Sequence, residues 1–224
     1  MARRKQTNPQ GRGVNQRPCS FLLRGGKLRG NNFLWVADAK DTRIQIVHEG
    51  TVGHYGQLCA SSKNPDPIRR HYYDSGANEG IGFYSEEMML QSGLYDDSPH
   101  TREMVYDQMR LRAVRVIADV KLAFGIFTPD QAVDLLKRNV RMDVTGARAE
   151  VGEMGELPGQ KISYQTGKLQ IMQMLQDARV NQSDKFSVES FHNYLWLNGN
   201  VPIALLRWEY LGLDDDVKRL AGLK

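Results

Sequence analysis

The stretch IVHEGTVGHYGQL, residues 46–58, brings two histidines and a glutamate close together in the chain. His48 and His54 are six positions apart, which places them about 120° apart around an ideal helix at roughly 100° per residue. In the usual helical zinc motif, two histidines lie four residues apart on one face. His48 and His54 can therefore meet at one ion only if the helix breaks or bulges between them. Gly50 and Gly53 are the residues that permit such a break.

A third ligand for the same ion is predicted in the segment NEGIGFYSEEMM, residues 78–89. Zinc takes nitrogen and oxygen ligands from His and Glu, and a catalytic zinc site keeps one position open for water. We therefore predict that His48 and His54 bind one zinc ion together with a carboxylate of this segment, such as Glu79. Glu49 is the predicted general base that takes a proton from the attacking water. The spacing alone is equally compatible with three ordinary polar residues.

The hydrophobic periodicity predicts a mainly α fold in one domain, residues 31–224, because this length can bury a substantial core. FLWVAD, residues 33–38, is the only short strand that the pattern favours. The signals Ser98-Pro99 and Thr128-Pro129 mark two helix starts. Predicted helices cover residues 40–58, 78–92, about 25 residues from Pro99, then 129–140, 159–179, 187–198 and 201–211.

The basic character of the chain is concentrated at its start. Residues 1–30 contain eight Lys or Arg side chains and no Asp or Glu, whereas the whole chain has a net charge of +4. A segment of this composition has little to bury, so we predict that it is flexible. It lacks the interleaved aromatic side chains that stack on bases. The composition therefore favours a solvated segment over a nucleic-acid-binding arm.

No apolar stretch approaches the roughly 18 residues that a membrane span needs, so no membrane span is predicted. The N-terminus has basic residues but no apolar core after them, and it does not match a signal peptide. The location of the protein stays open. It is cytoplasmic by default, or exported if the chain lacks its natural start.

Residues 46–58 resemble the signature of the bacterial family DUF885, which is grouped with the zincin-like metallopeptidases. That signature reads His-Glu-x-x-Pro-Gly-His, then His or Tyr, then Gln two positions later. The chain departs from it at Val52, where the family usually has proline. The matching residues are His48, Glu49, Gly53, His54, Tyr55 and Gln57.

Further blocks of the chain are similar to this family in the same order, from about residue 33 to residue 213. Residues 78–89 resemble its Glu-Gly-Trp-Ala-x-Tyr-x-Glu block, with Ile81 in place of Trp and Gly82 in place of Ala. PGQKISYQTGKLQI, residues 158–171, resembles its Pro-Gly-x-x-x-Ser-Tyr-x-x-Gly-Lys block. The resemblance implies a multi-helical, zincin-like metallohydrolase domain with Glu79 as the third metal ligand.

The resemblance also implies roles around the ligands. It places Tyr164 near the site, where its hydroxyl could donate a hydrogen bond to an oxyanion, or where the ring could be an ordinary core aromatic. Gln57 and Glu86 are candidates for orienting the ligands, since metal-bound histidines need a partner for their other nitrogen. Lys168 is a candidate for binding a substrate carboxylate, although a lysine at a helix edge is more often solvated.

Two functions follow as expectations. The first is a zinc-dependent hydrolase that cleaves a peptide or a related small amide. The second is an inactive metallopeptidase-like domain that serves as a binding or structural module. Family members usually carry several hundred residues before the histidine motif, whereas this chain has 47. It is therefore either a compact form or a truncated one, and an incomplete cleft would favour a homo-oligomer.

Overall fold

The computed structural model describes residues 41–222, which form helices and contain no β-strand. The prediction of a mainly α fold is confirmed. The predicted strand at 33–38 and the basic segment 1–30 lie outside the described residues. The helices are α1 (Arg43–Glu49), α2 (His54–Ser61), α3 (Pro67–His71), α4 (Ser75–Gln91), α5 (Pro99–Ala123), α6 (Pro129–Val140), α7 (Val144–Glu156), α8 (Gln160–Gln182), α9 (Val188–Leu197), α10 (Ile203–Leu211) and α11 (Asp215–Leu220), with a short 3-10 helix at Ser183–Lys185.

The region 40–58 is two helices instead of one. Helix α1 ends at Glu49 and α2 begins at His54. The interpretation of this region as a single helix is therefore wrong. The interruption that the histidine spacing requires is confirmed. The sequence pattern also missed α7, whose start depends on Asp143. The Asp143 carboxylate accepts hydrogen bonds from two backbone amides of the first turn.

The predicted helix starts are confirmed, and each has a side chain that binds the free backbone amides. The Ser98 hydroxyl accepts from the Thr101 amide at the start of α5. Thr128 and Gln131 bind each other's backbone amides at the start of α6. Proline follows both Ser98 and Thr128, as expected at the first helical position. These local signals fix the two starts without help from the rest of the fold.

Helix α4 is the centre of the fold. Every residue in the range 77–86 is buried, so this helix is covered on all faces. Its backbone lies directly against that of α8, where Gly80 meets Gly167. A Cβ atom added to Gly167 would lie 1.8 Å from the Gly76 carbonyl oxygen, so only glycine allows this approach. The contact brings the starts of α4 and α8 together.

Three groups of buried apolar side chains surround this centre. The first lies between α4, α8, α9 and α10 and includes Phe191. The second lies between α5, α6 and α7 and includes Leu111. The third joins α1 to the end of α4 and to α5 and includes Ile44. Within residues 41–222, no helix is both long and apolar enough to cross a membrane.

Candidate metal centre

Three side chains from three helices converge beside α4. His48 lies in the last turn of α1, His54 is the first residue of α2, and Glu79 lies in the first half of α4. The Nε2 atoms of the two histidines are 3.1 Å apart. The Glu79 Oε2 atom is 3.6 Å from the Nε2 of His48 and 3.5 Å from the Nε2 of His54. The structure therefore brings together all three side chains that the sequence predicts as metal ligands.

The three atoms fit one zinc ion in size and in chemistry. The circle through them has a radius of about 2.0 Å, which is close to the bond length between zinc and imidazole nitrogen or carboxylate oxygen. Two imidazoles and one carboxylate form a ligand set that catalytic zinc sites use, with a fourth position left for water. No other group of three His, Cys, Asp or Glu side chains with this proximity occurs in residues 41–222.

The link between α1 and α2 folds back on the end of α1. The amide of Gly50 donates to the Ile46 carbonyl at 2.8 Å, which closes the last turn of α1. A Cβ atom on Gly53 would lie 1.8 Å from the His48 carbonyl oxygen, so any larger residue there would collide with the backbone. This close approach turns His54 back toward His48.

Glu86 orients His48. The Glu86 Oε1 atom is 2.6 Å from His48 Nδ1 and 2.5 Å from a guanidinium nitrogen of Arg112. An imidazole that donates from Nδ1 to a carboxylate presents its Nε2 lone pair to a metal. Burial would raise the pKa of Glu86, but the positive charge of Arg112 and the bond to His48 outweigh it and lower that pKa. Glu86 therefore contacts His48, one of the predicted ligands, and its role in orienting a metal ligand stays a prediction.

The charges of His48 and Glu79 stabilise each other. Burial would lower the pKa of His48, but its contacts with Glu79 and Glu86 prevail and raise it from 6.5 to about 9. Burial would likewise raise the pKa of Glu79, but its contacts with His48 and His54 lower it from 4.5 to about 2. In metal-free protein, this site therefore contains an ionised glutamate beside a protonated histidine over most of the neutral range.

These shifts predict how the stability of chelator-treated protein depends on pH. The stabilisation from protonated His48 is complete below pH 6.5 and is lost as the pH rises through about 9. The stabilisation from ionised Glu79 is present above pH 4.5 and is lost as the pH falls through about 2. We therefore expect the free energy of unfolding, measured with urea in the presence of chelator, to fall between about pH 6.5 and pH 9.

His48→Gln should remove most of that decrease, whereas the same change at the exposed His100 should leave it in place. Zinc should act in the opposite direction, since it binds only neutral imidazole and its stabilising effect grows with pH. An equal decrease in the wild type and in His48→Gln would contradict the assigned charge of His48.

Gln160 contacts the third ligand and was not predicted from the sequence. Its Nε2 amide is 3.2 Å from the Glu79 Oε1 atom, which leaves Oε2 facing the histidines. Gln160 is placed by Asp119 of α5, whose carboxylate accepts from the backbone amides of Gly159 and Lys161, each at 3.0 Å. The only sequence signal for Gln160 is its position in the block 158–171, directly after Pro-Gly.

Tyr164 lies beside the ligands. Its ring stacks on the His48 imidazole with centroids 6.1 Å apart, and the Arg112 guanidinium lies 5.6 Å from its centroid. Burial, followed by the negative charge of Glu79, raises the pKa of the Tyr164 hydroxyl well above its usual range. The hydroxyl therefore keeps its proton and can donate it to a hydrogen bond. Its placement near the site is as expected, and its role at an oxyanion stays a prediction.

Gly82 is a second residue that the sequence reasoning did not assign to the site. A Cβ atom there would lie 2.7 Å from the Cε1 of His48 and 2.9 Å from the Cε1 of His54. The missing side chain gives both rings room to approach Glu79. The sequence signal for this residue was that the chain has Gly82 where the family pattern has alanine.

Glu49 forms no hydrogen bond or ion pair with the three candidate ligands within residues 41–222. It lines a groove of about 400 Å³ together with His54, and its carboxylate accepts from the Gln45 side chain at 3.2 Å. The other lining residues are Ile46, Gly50, Tyr55 and Leu58. Glu49 is thus at the rim of a cleft that reaches one ligand, and its role as general base stays a prediction.

Two further predicted residues have surroundings that differ from expectation. Gln57 is 1% exposed, and neither atom of its amide forms a hydrogen bond within residues 41–222, so it is not hydrogen-bonded to a candidate ligand there. The Lys168 ammonium forms an ion pair with Glu87 and lies 4.3 Å from the centroid of Phe83. The ion pair with Glu87 uses part of its capacity, and its role in binding a substrate carboxylate stays a prediction.

Two solved structures share this fold. One is the crystal structure of a protein from Colwellia psychrerythraea that is named as a candidate lipoprotein, with a TM-score of 0.72 and 27% identity over 78% of this chain. The other, from Shewanella oneidensis, is named as a candidate lipoprotein of unknown function and has a TM-score of 0.70 and 24% identity over 76% of this chain. The matches span only 30% and 31% of those proteins.

Among curated protein sequences, none matches this chain significantly. A family described as "Bacterial protein of unknown function" matches residues 32–209. That range includes His48, His54, Glu79, Glu86 and Tyr164, and it covers well over half of the chain. The chain therefore belongs to the bacterial family DUF885.

Proposed function

We propose that this chain is the metal-binding part of a zinc-dependent hydrolase that cleaves a peptide or a related amide bond. The observation that carries the proposal is the triangle formed by His48 Nε2, His54 Nε2 and Glu79 Oε2, with sides of 3.1, 3.5 and 3.6 Å. A zinc ion bound there would polarise a substrate carbonyl and would make a water acidic enough to lose a proton near neutral pH. The resemblance to zincin-like metallopeptidases supports the same class of reaction.

The other side chains have roles that suit amide hydrolysis. Glu49, at the rim beside His54, would take a proton from the attacking water and pass it to the leaving amine. Tyr164 would donate a hydrogen bond to the oxyanion that forms on the carbonyl oxygen. Glu86 and Gln160 would keep His48 and Glu79 in the orientations that bind the ion.

The shape of the groove supports a peptide substrate. Ile46, Tyr55 and Leu58 form much of its wall, and about half of each of these side chains is exposed. An apolar wall next to a ligand and a carboxylate is typical of a pocket for an apolar side chain beside the bond that is cut.

The second candidate function is a metallopeptidase-like domain without activity, which serves as a binding module. Glu49 favours it, because its carboxylate is hydrogen-bonded to Gln45 and, within residues 41–222, forms no hydrogen bond or ion pair with the ligand cluster. Val52 in place of the family's proline also favours it. The hydrolase requires the metal centre, whereas the binding module does not depend on it, and its stability should not respond to chelator.

The test combines zinc content with peptide cleavage. We expect about one zinc per wild-type chain by elemental analysis after dialysis, and none in His54→Ala, because that variant leaves only two protein ligands. His71→Ala, which removes an exposed histidine of α3, should keep its zinc. A folded wild type that retains no zinc would refute the proposed metal centre.

Glu49→Gln separates the two functions. We expect it to retain zinc and to cleave a library of synthetic peptides at least about 100-fold more slowly than the wild type, since a positioned general base contributes that much or more. Glu156→Gln, an exposed carboxylate of α7, is the matched control. If the wild type binds zinc but releases no new amino termini by mass spectrometry, the binding-module function is the correct one.

A further inference from the structure

Residues 50–53 form the link between the two histidine ligands. Two side-chain hydrogen bonds hold this link at one atom, the Val52 carbonyl oxygen. It accepts a hydrogen bond from the Ser85 hydroxyl at 2.9 Å and another from the Trp196 indole nitrogen at 3.1 Å. Ser85 belongs to α4 and Trp196 to α9, so two separate helices bind the same point of the link. A carbonyl oxygen has two lone pairs, and here both are used.

Each donor is itself held in place. Ser85 is fully buried, and it is adjacent in the chain to Glu86, the residue that orients His48. The Trp196 ring lies edge-on against His192, with centroids 5.2 Å apart and planes at 84°. The Tyr84 hydroxyl holds His192 in turn, at 2.8 Å from its Nε2. The two donors therefore present fixed groups to the link.

The position of the link decides where His54 lies. His48 is held independently of it, by Glu86, whereas the His54 Nδ1 atom forms no hydrogen bond within residues 41–222. No side chain in that part of the chain therefore orients the His54 ring through its second nitrogen. The backbone of residues 50–53 therefore sets the distance between the His54 ring and the His48 ring. A metal site requires its ligands to be held within about 0.5 Å of the productive geometry.

We propose that Ser85 and Trp196 are positioning residues that hold the link 50–53 and thereby set His54 against His48 for metal binding. Neither residue touches an ion, and both act through the Val52 carbonyl. The proposal rests on the metal centre proposed above, and it assigns Ser85 and Trp196 a role beyond the packing of the core.

Two substitutions remove the two hydrogen bonds to the Val52 carbonyl. Ser85→Ala removes the hydroxyl, and Trp196→Phe removes the indole N–H while it keeps an aromatic ring. In the double variant we expect zinc affinity to fall about 10- to 100-fold, as for loss of other groups that orient ligands. The measurement is a titration with zinc alone against a chromophoric chelator. Ser92→Ala with Trp208→Phe, which changes an exposed serine and an exposed tryptophan, is the matched control.

A rescue variant distinguishes positioning from general destabilisation. Val52→Pro stiffens the link, because proline fixes its own φ and limits the residue before it. The Val52 amide donates no hydrogen bond within residues 41–222, so this change removes none from that region. Added to the double variant, Val52→Pro should raise the zinc affinity at least tenfold. No recovery, together with an equal loss in the control pair, would overturn the proposal.

A second readout needs no metal. In chelator-treated protein, we expect the double variant to shift or broaden the imidazole NMR signals of His54, while those of the exposed His71 and His100 change less. Unchanged His54 signals would overturn the positioning role. A wild type that binds no zinc would refute the metal centre, and the histidine signals would still decide whether Ser85 and Trp196 place His54.

Discussion

Gly167→Ala is expected to lower the free energy of unfolding by about 3 kcal/mol or more, which is a large share of the stability of a typical domain. The new methyl group would lie 1.8 Å from the Gly76 carbonyl oxygen and 2.8 Å from the Gly80 Cα atom. Both are backbone atoms of α4, so no side-chain rotation can relieve the collision. The two helices would have to separate along their whole contact, and the surrounding core would lose its packing.

The control for this change is Gly152→Ala in α7. A Cβ atom at Gly152 meets nothing within 4 Å, so this variant should be more stable by about 0.5–1 kcal/mol, as expected for alanine in a helix. Urea unfolding followed by circular dichroism measures both. Similar stabilities for the two variants would mean that the backbones of α4 and α8 are not in direct contact at Gly167.

Glu86→Gln is expected to weaken zinc binding about 10- to 100-fold and to cost roughly 3 kcal/mol of stability. The carboxylate is fully buried and contacts both His48 Nδ1 and the Arg112 guanidinium. An amide at this position has no charge, so the buried guanidinium loses its counter-charge. Its oxygen is also a weaker acceptor for the His48 proton.

Glu87→Gln is the matched control for this experiment, since Glu87 is the next residue and its partly buried carboxylate pairs with Lys168 and not with His48. We expect that variant to change zinc affinity less than threefold and to lower stability less than Glu86→Gln does. Isothermal titration with zinc and urea unfolding measure the two effects. If Glu86→Gln binds zinc as tightly as Glu87→Gln, then Glu86 does not orient the ligand.

Local sequence signals predicted those parts of the fold that depend on neighbouring residues. Thr128 and Pro129 start α6 through bonds that span three residues, and a short pattern of this kind is sufficient. The break between α1 and α2 was predicted because His48 and His54 cannot meet on an unbroken helix. The strand at 33–38 stays a prediction.

Contacts between distant residues were beyond the sequence patterns. Gln160 reaches Glu79 across 81 positions, and the Arg112 bond to Glu86 spans 26. These contacts exist because α4, α5 and α8 pack together, and no local spacing encodes that packing. Glu49 shows the converse case. It is adjacent to His48 in the chain, yet among the described residues its carboxylate bonds to Gln45 and to none of the three candidate ligands.

The placement of the three ligands affects the rate at which a bound ion would exchange with solvent. Glu79 belongs to a helix buried on all faces, which should open only when the whole domain unfolds. The two histidines lie on helices of seven and eight residues at the edge of the fold, and such short elements open and close at a much lower free-energy cost. Exchange of the ion would then be governed by fraying of α1 and α2, at a rate far above that of global unfolding.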